Sequence, residues 1–135
     1  MLALVAAIVT GWLVGCGEAS SAQMLVEYRR SGGFAGLDDH LVIMGSGESI
    51  LTRKSERYEF TLDHSAVADL RSLFKDAEFS QLGPESLPSR QGSDLFEYVV
   101  TYERYAVRTM DGAVPPSLQP ILEALDQIVE YQGKP

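Results

Sequence analysis

MLVEYRRSGGFAGLDDHLVIMGSGESILTRKSERYEFTL, residues 24–62, decides the fold: short runs of apolar and polar residues are separated by breaks rich in glycine and charge. A period of two puts successive side chains on opposite faces of a strand, so such runs bury one face and leave the other wet. Met24 to Arg30 reads as a first strand with a β-branched residue and a tyrosine. Ser31-Gly32-Gly33 breaks it, and Gly36 and Asp38-Asp39 continue the interruption. His40 to Met44 reads as a second strand, Gly45-Ser46-Gly47 as a turn and Ser49 to Lys54 as a third strand. Tyr58 to Leu62 alternates, with Tyr58, Phe60 and Leu62 on one face.

Downstream the period changes. Asp63 and Ser65 supply helix-start chemistry, and Val67, Leu70, Leu73 and Phe74 recur at helical spacing, with the helix expected to end between Lys75 and Phe79. Residues 83–93 form the longest expected loop. Residues 94–102 and 104–110 read as a hairpin with Glu103 in the turn, and Asp111-Gly112 marks the next reversal. Val114-Pro115-Pro116-Ser117 leads into a helix whose stripe is Leu118, Ile121, Leu122, Leu125, Ile128 and Val129. Pro120 is tolerable in its first turn, where amides lack helical acceptors, and Gly133 and Pro135 end it. The expectation is a single small α+β domain: a mainly antiparallel sheet of about five or six short strands with two amphipathic helices packed on it.

Length and charge narrow the function. The chain has 135 residues, enough for one domain, and 11 Lys and Arg against 19 Asp and Glu give a net charge of −8. A nucleic-acid partner is not expected, because only Arg29-Arg30 and Arg53-Lys54 are adjacent basic pairs and phosphate binding needs a basic face. With 45% apolar and 22% charged residues, the chain has the mix of a folding domain rather than a disordered tail.

Residues 1–15, MLALVAAIVTGWLVG, carry no charge and would make about 22 Å of helix, too short for a membrane span. That length suits a cleaved export signal. Leu13-Val14-Gly15-Cys16 resembles the bacterial lipobox, in which cleavage precedes a cysteine carrying a diacylglycerol thioether. The other reading is an ordinary buried cysteine after an apolar N-terminal helix. The lipobox implies a signal peptide at 1–15, a flexible tether at 16–22 bearing lipidated Cys16, and the folded domain at 23–135. It places the protein extracytoplasmically, anchored by Cys16 to the cell membrane or outer membrane through two or three acyl chains. The chain's one cysteine leaves no partner for a disulfide.

Residue patterns for catalysis are sparse. His40, His64 and Cys16 do not form HExxH or CxxC, so neither zinc catalysis nor a cofactor is expected. Gly45-Ser46-Gly47-Glu48-Ser49 is not a nucleophile elbow, since serine is not central in the pentad, and Gly32-Gly33-Phe34-Ala35-Gly36 lacks the spacing and Lys-Ser/Thr of a phosphate loop. Asp38-Asp39 reads as a solvated turn, His40 as a strand-edge residue and His64 as a helix-start residue. No enzyme activity is expected.

Arg30-Ser31-Gly32-Gly33-Phe34-Ala35-Gly36 after a first strand resembles the opening motif of the emfourin family, protein inhibitors of thermolysin-like M4 metallopeptidases such as protealysin. Asp94-Leu95-Phe96-Glu97-Tyr98 is similar to that family's Asp-x-Phe-x-Tyr strand. Asp111-Gly112-Ala113-Val114-Pro115-Pro116-Ser117-Leu118 is similar to the segment that leads into its last helix. The resemblance spans residues 26–129, and residues 45–57 look longer than in compact members. It implies a protein inhibitor, with an M4-type peptidase as partner and Ser31, Gly32, Gly33, Phe34, Ala35, Gly36 and Asp94 as candidate contact residues. A phenylalanine on a glycine-framed loop could fill the apolar pocket such peptidases use just after the scissile bond, and acidic surface would speed docking to a basic or metal-bearing cleft. Phe34 could instead be core, Phe96 and Tyr98 are expected in the core, and Asp94 either caps its loop or meets a partner. The alternative function is a non-inhibitory binding or structural lipoprotein of the cell envelope.

Overall fold

A computed structural model describes residues 22–134 of the chain. The apolar run at 1–15, Cys16 and the tether up to residue 21 lie outside the described residues. The fold is α+β: strands β1 (Met24–Gly32), β2 (Leu37–Met44), β3 (Glu48–Arg53) and β4 (Glu56–Thr61), helix α1 (His64–Asp76), strands β5 (Glu85–Ser86), β6 (Phe96–Tyr102) and β7 (Tyr105–Met110), and helix α2 (Gln119–Gln132). The sheet has seven strands in the order β4-β3-β2-β1-β6-β7-β5.

That count corrects the expected five or six. The extra strand is β5, which runs parallel to β7 and makes the sheet mixed. It lies in the segment expected to be loop. Two residues are too short for any alternation to show, and only the β7 edge draws them into extended pairing, with the Arg108 N–H donating to Pro84 O at 2.9 Å.

One face of the sheet is buried. Val26 and Tyr28 of β1, Leu41 and Ile43 of β2, Leu51 of β3, Val100 of β6 and Val107 of β7 point to it, each in phase along its strand. Leu25, adjacent to Val26, is also buried, because the β1–β2 register shifts between Met24 and Val26 and a bulge turns both inward. α1 covers this face with Val67, Leu70 and Phe74, and Phe74 stacks on Tyr102 at 4.1 Å between ring centroids. Asp63 caps α1, its carboxylate accepting the Ala66 N–H at 2.8 Å. α2 adds Ile121, Leu122, Leu125 and Val129, with Leu118 buried just before it. The buried core thus runs from Leu25 to Val129, within the described residues. No helix of the described residues is long and apolar enough to cross a membrane.

Candidate functional site

β1 and β2 form a hairpin whose tip is Gly33–Gly36, closed by the Gly36 N–H donating to Gly33 O at 3.1 Å. Phe34 stands at this tip with 92% of its surface exposed, which settles the sequence's open alternative against a core position. The glycines explain why the tip holds its place. Gly32 and Gly33 have φ of +104° and +71°, in the region where side chains strain the backbone. A Cβ on Gly32 would sit 2.5 Å from the Leu95 carbonyl oxygen, and one on Gly33 would sit 2.8 Å from the Phe96 ring. The absence of side chains lets the hairpin lie flat on the turn before β6, where the Gly33 N–H donates to Leu95 O at 3.2 Å.

Two segments about sixty residues apart in sequence therefore make one surface. Gly32 pairs with Phe96 and Ser31 with Glu97. Ser31 is half-buried, Ala35 and Gly36 are exposed beside Phe34, and Asp94 is exposed in the neighbouring turn, where the Leu95 N–H donates to Gly92 O at 3.2 Å. All seven candidate contact residues are brought to this end of the sheet, while Cys16, the expected lipidation site, lies outside the described residues.

Phe96 and Tyr98 are half-buried rather than core residues: Tyr98 packs on the core while Phe96 walls the glycine hairpin. Asp111 fixes both. Its carboxylate accepts the Phe96 N–H at 2.9 Å and the Tyr98 hydroxyl at 2.9 Å, and its own N–H donates to Phe96 O at 3.0 Å. Burial first, and the Asp111 bond second, hold the Tyr98 phenol well above its usual range, so it stays a donor.

Behind the hairpin lies a charged network that the sequence reading missed. Asp39 is fully buried on β2, which overturns the solvated-turn expectation for Asp38-Asp39; only Asp38 is exposed. Arg30 donates to Asp39 Oδ2 from Nη2 at 2.8 Å and Nε at 3.2 Å, and Arg53 Nε donates to Asp39 Oδ1 at 2.7 Å. Arg30 also reaches α2, at 3.1 Å from Asp126 and 2.6 Å from Glu130, while Tyr28 donates to Asp126 at 2.6 Å. Arg53 donates to Gly133 O at 3.2 Å and so places a cation at the C-terminal end of α2. A signal for this cluster was present: Arg30 continues the buried row Val26, Tyr28; Asp39 precedes Leu41, Ile43; and Arg53 follows Leu51. Charges in phase with apolar rows point inward and must find each other.

Desolvation pushes the Asp39 carboxyl up, but hydrogen bonds from Arg53 and Arg30 outweigh it and hold the group below the usual carboxylate range. Glu130 is held low chiefly by Arg30. These groups spend their hydrogen-bonding capacity on one another. His40 is also corrected: it sits inside the sheet on the open face, its Nε2 2.7 Å from Glu27 Oε1, rather than at an edge. His64 is the first residue of α1 and is exposed. Among the described residues no three His, Cys, Asp or Glu side chains converge as a metal-ligating group. What this end of the molecule offers is a rigid protrusion with an aromatic tip and two exposed carboxylates nearby, Asp38 and Asp94.

Scanned against family models and against curated proteins, the sequence matches none.

Proposed function

We propose that this protein works by binding another protein through the Phe34 hairpin, and that the partner is a secreted or periplasmic thermolysin-like peptidase whose cleft the hairpin occludes. The observation that carries this reading is Phe34 itself: a large apolar side chain, 92% exposed on a glycine-framed, sheet-backed tip, is placed where a partner's apolar pocket would bury it as an aromatic anchor. Rigidity supports it further, since a tip already held by the β6 turn loses little conformational freedom on binding. The emfourin-like motifs supply the partner class, and they meet at this end: the glycine hairpin touches Leu95 and Phe96, and Asp111 holds Phe96 and Tyr98. Asp38 and Asp94 beside the tip suit a cleft with a cationic rim, chiefly by raising the association rate.

The test is a titration of residues 23–135 against several thermolysin-like peptidases with a peptide substrate. Saturable inhibition at or below about 1 µM is expected; no inhibition of any of them at that level would sink the inhibitory reading. We further propose that Cys16 carries the lipid that holds the domain at the cell envelope. Cells fed a clickable fatty acid should label the wild-type chain and not Cys16→Ser, and a Cys16→Ser protein that still takes up label would defeat the anchor.

A further inference from the structure

We infer that the β4 edge is the surface through which a second copy of this chain joins the sheet, in one particular register. Among the described residues nothing pairs with the outer side of β4, the first strand in the sheet order. Neither a proline nor a register break interrupts it, and an unpaired edge of this kind is a template for another strand.

Hydrogen-bond parity limits the ways two such edges can meet. The Leu62 N–H donates to Gly47 O at 2.9 Å, and β4 pairs β3 with Thr61 opposite Glu48. Bonded and non-bonded pairs alternate along an antiparallel ladder, so Glu56, Tyr58 and Phe60 turn their amides toward β3. Arg57, Glu59 and Thr61 therefore present N–H and C=O outward. Two copies of β4 related by a two-fold axis must bond through these outward residues.

An axis at Arg57 sets arginine against arginine, an axis at Glu59 sets glutamate against glutamate, and an axis at Phe60 sets each Glu59 opposite the uncharged Thr61. An axis at Tyr58 sets each Arg57 opposite the other copy's Glu59, and does so twice. Both side chains are exposed and already lie 2.8 Å apart along one strand, so their reach fits the cross-strand exchange. Tyr58, half-buried against the core, then meets its own copy at a non-bonded position where Cα atoms approach to about 4.5 Å. Charge complementarity thus selects one register and names the occupant as a second copy. The Phe34 hairpin, two strands away between β2 and β1, stays free in this arrangement.

The register can be read by cysteine substitution in residues 23–135, which lack Cys16. Tyr58→Cys should form a disulfide-linked dimer under mild oxidation, because that position alone meets itself at a bridgeable distance. Arg57→Cys and Glu59→Cys should not. Cross-linking at either of those positions in place of Tyr58→Cys would overturn the register. Sedimentation gives a readout independent of the Tyr58 side chain. The wild-type domain should dimerise by about 100 µM, as befits a small interface. Arg57→Glu should weaken the dimer about tenfold, with Arg57→Glu/Glu59→Arg restoring it. A wild-type domain that remains monomeric at that concentration, or an Arg57→Glu domain that dimerises as well as wild type, would overturn the proposal.

Discussion

Asp39→Ala is expected to lower the unfolding free energy by about 3–5 kcal/mol, a large share of what a small domain possesses. Asp39 is fully buried, and its two oxygens take four hydrogen bonds from Arg30 and Arg53. Removing it leaves Arg30, itself nearly buried, with cation solvation supplied only by Asp126 and Glu130 from α2. The loss exceeds that of a surface ion pair, which is worth at most about 1 kcal/mol, because both charges here have left water. Thermal unfolding should show a melting temperature lower by about 10–20 °C. A fall below about 1 kcal/mol in urea titrations would mean that the network does not hold α2 to the sheet.

Acid should act on the same cluster. The folded-state values of Asp39 and Glu130 lie below their ordinary 3.8 and 4.5, so on acidification the unfolded chain takes up protons at these groups first. Their contribution is complete above the ordinary carboxylate range and is lost as pH falls through it toward the folded values. Stability measured from pH 7 down to pH 2 should therefore drop steeply below about pH 4.5, and Asp39→Ala should flatten that limb. Equal acid slopes in the two proteins would count against Asp39 as the titrating group.

Phe34→Ala is expected to weaken inhibition of a thermolysin-like peptidase by about 30- to 1,000-fold, the range for losing a central aromatic anchor. Stability should stay within about 0.5 kcal/mol of wild type, because a side chain exposed to 92% contributes almost nothing to the core. The two readouts together separate contact from packing. Gly32→Ala should do the converse, costing about 2–4 kcal/mol of stability, since its Cβ would meet the Leu95 oxygen at 2.5 Å on a backbone with φ of +104°. A Phe34→Ala domain that inhibits as strongly as wild type would remove the hairpin tip from the interface.

Much of the architecture was legible from particular residues. The phase of Tyr58, Phe60 and Leu62 and the Asp63 cap stood where the alternation and the helix-start chemistry placed them, and the α2 stripe buried Leu118, Ile121, Leu122, Leu125 and Val129 as its spacing required. The strand β5 was not legible, because two residues carry no period. Asp39 was misread for a different reason: aspartate beside aspartate is ordinarily a solvated turn, and its burial depends on two arginines whose approach no local spacing encodes. The glycines of the hairpin were visible as a break, but their purpose was not. Close approach to Leu95 and Phe96 is a property of the β1–β6 pairing rather than of residues 32 and 33.

By itself the sequence determined which residues extend, which coil into helices and which faces are apolar, since these follow from side-chain periods of two and 3.6 along short stretches. Only the tertiary structure decided that Phe34 is bare, that Asp94 shares its end of the sheet and that Arg30 meets Asp126 and Glu130 across 96 and 100 positions. Strand order brings such residues together, and strand order is set by the joint burial of all the apolar faces at once.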